Sequence, residues 1–230
     1  MGRVTTESTA SPVSDLTALA LRAIALAPAE GRVIVGVAGS PGSGKTTLAH
    51  RVAHRVDELA GAGTAVHLPM DGFHLANATL DALGRHDRKG AIDTFDGWGF
   101  VALLRRVLAE TGNPVYAPAF ERTVDEPVAG SIVVPPAARV VVVEGNYLLV
   151  DAEPWSRIPD LLAESWFVAT PEDERMRRLV DRHTRHGRTL EAATAWARDV
   201  DGANALLIEA SEARATLVVD GTTGLPAAGA

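Results

Sequence analysis

The sequence predicts an α/β fold in which a mostly parallel, five-stranded sheet carries helices on both faces. Three observations lead to this fold class: short Val-rich apolar runs, helical patterns between them, and a glycine-rich loop between the first run and the first long helix. Near-continuous apolar runs are typical of strands that are covered on both faces. Strands that alternate with helices favour right-handed crossovers and a parallel sheet.

The predicted strands and helices follow one another along most of the chain. Helical patterns occupy residues 16–27, 44–60, 99–110, 170–183 and about 189–212. The apolar runs that predict strands lie at residues 32–39, 65–70, 139–145, 165–170 and 215–220. Ser14 or Asp15 is expected to open the first helix. Thr170 is expected to cap the helix at 170–183, with Pro171 at its first helical position.

Residues 111–136 interrupt this alternation, because they contain five prolines and show no helical period. We interpret them as a hairpin or an irregular excursion over the edge of the sheet, a kind of segment that is often functional. The domain itself is expected to span residues 14–220. A disordered tail at 1–13 and a flexible tail at 221–230 are expected to flank it.

Composition narrows the class of protein. The chain has 230 residues, of which 47% are hydrophobic and 22% charged, as expected for one globular domain. Its formal net charge of −7 argues against a nucleic-acid-binding protein. It has no cysteine, which removes disulfides, thiol nucleophiles and Cys-based zinc sites and is compatible with the cytoplasm. No run of about 18 apolar residues or secretory signal pattern is present, so we expect no membrane span.

The stretch GSPGSGKT at residues 39–46 predicts a phosphate-binding loop, because it fits G-x-x-x-x-G-K-[ST] between a strand and a helix. Its glycines let backbone N–H groups converge on phosphate oxygens at a helix N-terminus. Lys45 is expected to reach the β- and γ-phosphates of ATP, and the Thr46 hydroxyl to bind Mg²⁺. The predicted nucleotide-binding residues of this loop are Gly39, Ser40, Pro41, Gly42, Ser43, Gly44, Lys45, Thr46 and Thr47.

Two carboxylates follow strands of the predicted sheet. Asp71 comes just after the strand at 65–70, and Glu144 ends the strand at 139–145. Ligands of doubly wound sheets bind at the carboxyl ends of the strands, so both acids should face the phosphate loop. One could orient or deprotonate a hydroxyl, and the other could help to hold Mg²⁺. Taken alone, Asp71 could equally be a turn residue before Gly72, and Glu144 a helix or turn cap.

An arginine-rich segment within residues 174–188 is the last candidate feature. Six arginines in 15 residues could form a solvated basic helix face. They could instead form a lid that neutralises the transferring phosphoryl group, with Gly187 as a hinge. The sequence has neither an N-K-x-D stretch, which argues against a GTPase, nor an L-S-G-G-Q stretch.

Several of these motifs together resemble a known family. GSPGSGKT, MDGFH, FDGW, YAPAFER, VVVEGNYLL and TPEDERMRRLVDRHTRHGRT occur in the order seen in the uridine kinase / phosphoribulokinase / type I pantothenate kinase branch of P-loop kinases. The likeness spans roughly residues 32–219 and is greatest to the nucleoside/nucleotide kinase-like or fructose-kinase-like members. It implies a three-layer P-loop NTPase fold with strand order 2-3-1-4-5 and an Arg-rich lid at about 180–190.

The resemblance also implies roles for particular residues. Asp71 would be the base for the acceptor hydroxyl, while Glu144 would bind Mg²⁺ together with Thr46. The lid would supply Arg182 and Arg188 for catalysis and Arg185 for nucleotide binding. The acceptor would be bound by His74, Phe95, Asp96, Tyr116, Phe120 and Arg122. Glu121 and Arg122 stand where uridine kinases have a base-reading His, and His74 could either contact the acceptor or simply pack.

These observations favour an ATP-dependent kinase that phosphorylates a hydroxyl of a nucleoside, sugar or pantothenate-like acceptor. The alternative is a P-loop NTP hydrolase or nucleotide-binding regulator without an organic acceptor. The resemblance leaves a homodimer open. The choice between ATP and GTP and the identity of the acceptor also stay open.

Overall fold

The structure is a computed structural model that describes residues 16–222. The predicted tail at 1–13, the predicted helix start at Ser14 or Asp15, and residues 223–230 of the second predicted tail lie outside the described residues. The first helix, α1, spans Leu16–Leu26.

Five parallel strands form the central sheet, as predicted. They are β1 (Val33–Ala38), β2 (Ala65–Pro69), β5 (Val140–Gly145), β6 (Glu164–Ala169) and β7 (Leu217–Asp220). The order across the sheet is β2-β5-β1-β6-β7, and every pairing is parallel. Numbered among all strands of the chain, this order differs from the predicted 2-3-1-4-5. Numbered among the five sheet strands alone, it is 2-3-1-4-5.

Six further helices connect or cover the strands. They are α2 (Lys45–Ala60), α3 (Asn77–Leu83), α4 (Gly97–Ala109), α5 (Glu172–Arg185), α6 (Leu190–Trp196) and α7 (Gly202–Glu209). The sequence did not predict α3. The continuous helix predicted at about 189–212 is divided into α6 and α7 by a π-helical turn at Ala197–Asp201. No helix within residues 16–222 has the length and apolar character that crossing a bilayer requires.

The side chains of the central strand β1 divide between two cores, one on each face of the sheet. Val35 and Val37 pack with α1 and α2, whereas Ile34 and Ala38 pack with α4 and the apolar residues of the opposite face. All four side chains are buried. The sheet is therefore the middle of three layers, which explains why its strands are apolar on both faces.

The proline-rich segment forms a separate hairpin of β3 (Val115–Glu121) and β4 (Glu126–Val134). Its strands are antiparallel, with a register shift between Ala117 and Ala119. The hairpin packs against a short 3₁₀ turn at Met70–Phe73 that follows β2. Of the two predicted alternatives, the segment thus forms the hairpin, and it lies beside the turn that carries Asp71.

The predicted cap of α5 is wrong. Pro171 is the N-cap residue, and no side chain caps the helix there. The Thr170 hydroxyl instead donates a hydrogen bond of 2.8 Å to the carbonyl oxygen of Ser43. A residue that the sequence assigns to a helix end thus contacts the glycine-rich loop.

Candidate active site

The glycine-rich loop joins the end of β1 to the start of α2 with the backbone that phosphate binding requires. Gly42 and Gly44 have φ angles of 78° and 97°, which residues other than glycine rarely adopt. No side chain caps α2, so the first N–H groups of this helix remain available to an anion. The loop therefore presents a positive helix end beside Lys45.

Groups outside the loop hold its Ser43 peptide in place. The Ser43 carbonyl accepts from Thr170 and also from Nη1 of Arg178, at 3.2 Å. The same nitrogen lies 3.4 Å from the Gly42 carbonyl. The Ser43 hydroxyl is buried and makes no hydrogen bond within residues 16–222, so the loop retains an unused donor. A phosphate-bearing ligand fits such a loop.

Glu144 and Thr46 meet at the carboxyl end of β5. The Thr46 hydroxyl donates to Oε1 of Glu144 at 3.0 Å, and Glu144 is only 2% exposed. Burial raises the pKa of Glu144 to about 7, against the stabilising charge of Lys45. Burial also lowers the pKa of Lys45, while Glu144 and Asp71 oppose that shift. A hydroxyl and a carboxylate oxygen in contact are suitable ligands for Mg²⁺, which usually takes few protein ligands beside phosphate oxygens.

A cavity of about 390 Å³ opens beside Lys45. The predicted residues that line it are Pro41, Lys45, Asp71, His74, Phe120, Arg122, Arg182 and Arg188. They come from the phosphate loop, the turn after β2, the hairpin and the lid. Residues distant in sequence therefore meet at the edge of the sheet where the sequence predicted a site.

Asp71 and His74 belong to the short turn after β2. Nδ1 of His74 donates to the Asp71 carbonyl at 2.7 Å, which assigns the proton to that nitrogen. The centroid of the imidazole lies 4.0 Å from the ring centroid of Phe95 and 4.8 Å from that of Phe120. Burial lowers the pKa of His74, although the charge of Asp71 opposes this shift. His74 therefore packs as a neutral ring and also forms part of the cavity wall.

Four of the residues predicted for acceptor binding and for the lid do not line this cavity. Phe95 is 8% exposed and packs in the core, whereas Tyr116 is 54% exposed. Asp96 is exposed and caps α4 by accepting from the backbone N–H of Gly99 at 2.8 Å. Arg185 is exposed and paired with Asp181 of its own helix.

The lid segment is anchored next to its two cavity-lining arginines. Nε2 of His183 lies 2.8 Å from a carboxylate oxygen of Asp201, and both side chains are largely buried. Asp201 is the last residue of the π-helical turn, a feature that is frequent at functional sites. The guanidinium of Arg188 lies 3.9 Å from the ring centroid of Trp196. Arg182 and Arg188 thus line the cavity from a segment that the contact between His183 and Asp201 holds in place.

Several cavity residues were not found by sequence reasoning. Among them are Lys89, Asn146, His183 and Asp201. Asn146 could have been found from its position two residues after Glu144, at the end of β5. His183 and Asp201 meet across α5 and the π-helical turn between α6 and α7, a turn for which the sequence shows no local pattern.

A second cavity, of about 530 Å³, lies on another side of the loop. Ser40 contributes to it together with Thr170, Arg175 and Glu209. Arg175 is buried and paired with Glu209 at 2.6 Å, and the Ser40 hydroxyl donates to the same carboxylate at 3.3 Å. Thr47 faces neither of these cavities and lines a third, smaller one.

Comparisons with known proteins agree with this architecture. Residues 34–222 match the model of the phosphoribulokinase / uridine kinase family. A Schizosaccharomyces pombe protein provisionally named a uridine kinase is 38% identical over 151 residues, which are 64% of this chain and 64% of that protein's length. An ATP-dependent kinase-like protein of Aspergillus versicolor is 38% identical over 133 residues, or 55% of this chain and 77% of its own.

A solved structure extends the likeness to nearly the whole fold. A Silicibacter protein provisionally described as a fructose transport system kinase superposes with a TM-score of 0.81 and 37% identity. The match covers 90% of this chain and 99% of that one. The fold, the phosphate loop and the family model lead to one assignment: the chain belongs to the phosphoribulokinase / uridine kinase family of phosphotransferases, as its motifs predicted.

Proposed function

We propose that this protein is an ATP-dependent kinase that transfers the γ-phosphate to a hydroxyl group of a small organic acceptor. One observation carries the proposal: Lys45 of the phosphate loop and Asp71 line a single cavity, next to Thr46, which is hydrogen-bonded to the buried Glu144. A phosphate-binding cation, a candidate base and a candidate metal site thus lie at one edge of the sheet. The cytoplasm, where ATP is supplied, is the proposed location.

The loop residues from Gly39 to Thr47 are proposed to bind the nucleotide's phosphates, with Lys45 nearest to the β- and γ-groups. Thr46 and Glu144 would hold Mg²⁺, which would neutralise charge on the transferring phosphoryl group. The described residues contain no cluster of three or more His, Asp or Glu that could bind a metal alone. The nucleoside end is proposed to occupy the larger cavity beside Ser40 and Arg175.

Asp71 is proposed to orient the acceptor hydroxyl and to receive its proton. The backbone of its turn is held by the hydrogen bond from His74 and by the hairpin packed against Gly72. A general base that is positioned in this way contributes roughly 10²- to 10⁴-fold to a rate. Arg182 and Arg188 are proposed to stabilise the transferring group from the lid, whereas the exposed Arg185 has no place in this proposal.

Candidate acceptors follow from the related proteins. One relative is named a uridine kinase and a structural neighbour a fructose transport system kinase, so nucleosides and sugars head the panel, with pantothenate as a third class. The hairpin residues Phe120 and Arg122 favour an organic acceptor over water, because water would need no such wall. A possible homodimer is left to measurement of the molecular mass in solution.

The test measures ADP release with Mg·ATP while the acceptor panel is varied. An acceptor should raise ADP release above the background with water, and Asp71→Asn should lower kcat by about 10²- to 10⁴-fold. The affinity of that variant for ATP, measured by calorimetry, should stay near the wild-type value. Asp160→Asn is the matched control, since Asp160 is an exposed acid outside the cavity.

Two results would contradict the proposal. If no acceptor raises ADP release above background, the protein is a hydrolase or a nucleotide-bound regulator. If Asp71→Asn keeps full activity with a working acceptor, the kinase function stands and the role of Asp71 is wrong.

A further inference from the structure

We infer that the acceptor carries an anionic group, a carboxylate or a phosphate, in addition to its reacting hydroxyl, and that Arg122 binds this group. The inference rests on the proposed kinase function and narrows its substrate class. Three observations carry it: the position of Arg122, the pairing of the charges in the cavity, and the state of the aromatic rings.

Arg122 reaches the cavity from the acceptor side. It directly follows β3, whose Phe120 contacts His74 beside Asp71. The strand passes so close to Asp71 that a Cβ on Gly72 would overlap the Pro118 carbonyl group. Lys45 comes from the opposite direction, at the start of α2, and Arg182 from the lid. Arg122 is thus the cation that the hairpin adds to the side where the acceptor hydroxyl must lie.

Two acids of the cavity pair with other cations, and Arg122 acts on a third acid, the buried Glu144, only through its charge, which lowers the pKa of that carboxyl group. Asp125 pairs with Lys89 at 2.9 Å, and Asp201 pairs with His183. Within residues 16–222, the guanidinium of Arg122 makes no ion pair or hydrogen bond, although it lines the cavity with Asp71. Arg122 is exposed, lines the cavity and has no ion pair among the described residues, so its guanidinium is available to bind an anionic group of a ligand. Arginine suits carboxylates and phosphates because its N–H fork binds two oxygens at once.

The aromatic rings of the cavity are already engaged, which argues against a stacked nucleobase. The Lys89 ammonium lies 5.0 Å from the Phe120 centroid, and His74 contacts the same ring. The ring of Trp196 carries the guanidinium of Arg188. A small, non-aromatic acceptor fits this wall better than a nucleoside does.

Asn146 adds a group that can read hydroxyls. It lines the cavity, and its buried Oδ1 has no hydrogen-bond donor within the described residues. A hydroxyl group of the ligand can donate to this oxygen. If the amide is flipped, its NH2 group can instead donate to the hydroxyl. The acceptor class that has an anionic group for Arg122, no aromatic base and a hydroxyl group for Asn146 is an anionic hydroxy compound, such as a sugar phosphate or a hydroxy acid.

The experiment compares matched acceptors that differ in charge: glycerate with glycerol, pantothenate with pantothenol, and fructose 6-phosphate with fructose. Uridine represents the neutral nucleosides. Each is assayed with wild type, Arg122→Met and Arg122→Lys, and KM is separated from kcat for acceptor and for ATP. Arg105→Met is the control, since Arg105 is exposed on α4 and does not line the cavity.

The wild type should prefer the anionic member of at least one pair, and the pair that responds distinguishes a carboxylate from a phosphate. Arg122→Met should raise KM for that acceptor about 10- to 100-fold, as expected for losing a charged hydrogen bond. The variant should also lose the preference for the anionic member over the neutral one, the KM for ATP should stay near the wild-type value, and Arg122→Lys should recover part of the loss.

Three results would overturn the inference. The neutral members or uridine could be the better acceptors of the wild type. Arg122→Met could lower kcat equally for both members of a pair and raise KM for ATP, which would place Arg122 on the transferring phosphoryl group. In both cases the kinase function survives, whereas silence of every acceptor in the panel would remove the proposed function as well.

Discussion

Replacement of Gly72 by alanine tests whether the hairpin and the Asp71 turn form one rigid unit. The added Cβ would lie 2.6 Å from the carbonyl carbon of Pro118, closer still to its oxygen, and 3.2 Å from the nitrogen of Ala119. Cβ atoms are essentially never found within 3.0 Å of such neighbours. All three atoms are backbone, so turn and strand must separate by about 1 Å, which is the scale of distortion that overpacking produces.

This separation should reduce both stability and turnover. Overpacking costs about 1–3 kcal/mol, which for a chain of this size lowers Tm by about 3–10 °C. A shift of about 1 Å between Asp71 and the hairpin side of the cavity should lower kcat by about 10²-fold. ATP affinity should change little, because the phosphate loop lies on other elements.

The measurements are thermal unfolding, calorimetric binding of ATP, and kcat with a working acceptor. Gly112→Ala is the matched control, since its Cβ would meet nothing within 4 Å and its φ angle is not positive. A Gly72→Ala protein with the Tm and kcat of the wild type would show that the turn and the hairpin move independently, and the positioning argument for Asp71 would then be wrong.

Three further changes have defined outcomes. Burial lowers the pKa of His74 below the ordinary value of about 6.5, so the stability that neutral His74 contributes is present above that pH and is lost as the pH falls towards the pKa of the folded state. Urea unfolding from pH 8 to 5 should therefore show a shallower loss of stability for His74→Gln than for the wild type. Asp96→Ala should cost about 1 kcal/mol of unfolding free energy with KM for the acceptor unchanged, because Asp96 caps a helix; a large rise in that KM would instead favour the family role. Thr170→Val should cost about 1 kcal/mol and weaken ATP binding through the loop carbonyl that it releases, and unchanged calorimetric affinity would refute the second part.

The parts of the site that the sequence predicted depend on local chain geometry. A phosphate loop is a short stretch whose glycines and following helix are contiguous, so the letters of residues 39–46 carry nearly all of its structure. Asp71 and Glu144 could be placed because the ends of parallel strands share one edge. Neither inference needs knowledge of how distant side chains pack.

The part of the cavity wall that the hairpin forms could not be predicted in the same way. Tyr116 and Phe120 are four residues apart and would share a face of a regular strand. The pairing of β3 with β4 shifts register between Ala117 and Ala119, and Phe120 beyond the shift lines the cavity whereas Tyr116 before it is exposed. Asp96 is different, because an acid directly before a helical run is itself a cap signal that competes with the resemblance.

The lid shows a third kind of failure. His183 and Asp201 are 18 residues apart, and their contact depends on a π-helical turn that no residue pattern announces. Arg185 lies one turn from the cavity-lining Arg182, yet Asp181 of the same helix takes its charge. Counting arginines predicts a basic lid, but only the pairing of each guanidinium shows which of them remain available to a ligand.

The division between sheet and hairpin has a consequence for how acceptors could change within the fold. The phosphate loop and Thr46 follow β1 of the central sheet and Glu144 belongs to β5, whereas Phe120 and Arg122 belong to the separate hairpin of β3 and β4. The two parts meet at the Gly72 turn, which carries Asp71. Under the proposed function, substitutions on the hairpin should alter which acceptor is bound while the phosphate loop, Thr46 and Glu144 stay in place, provided that the close contact at Gly72 is kept. The choice of acceptor should thus depend on the residues at positions 120 and 122 more than on the phosphate loop. Substitution of these two residues by other types should reverse the enzyme's preference for the charge of the acceptor.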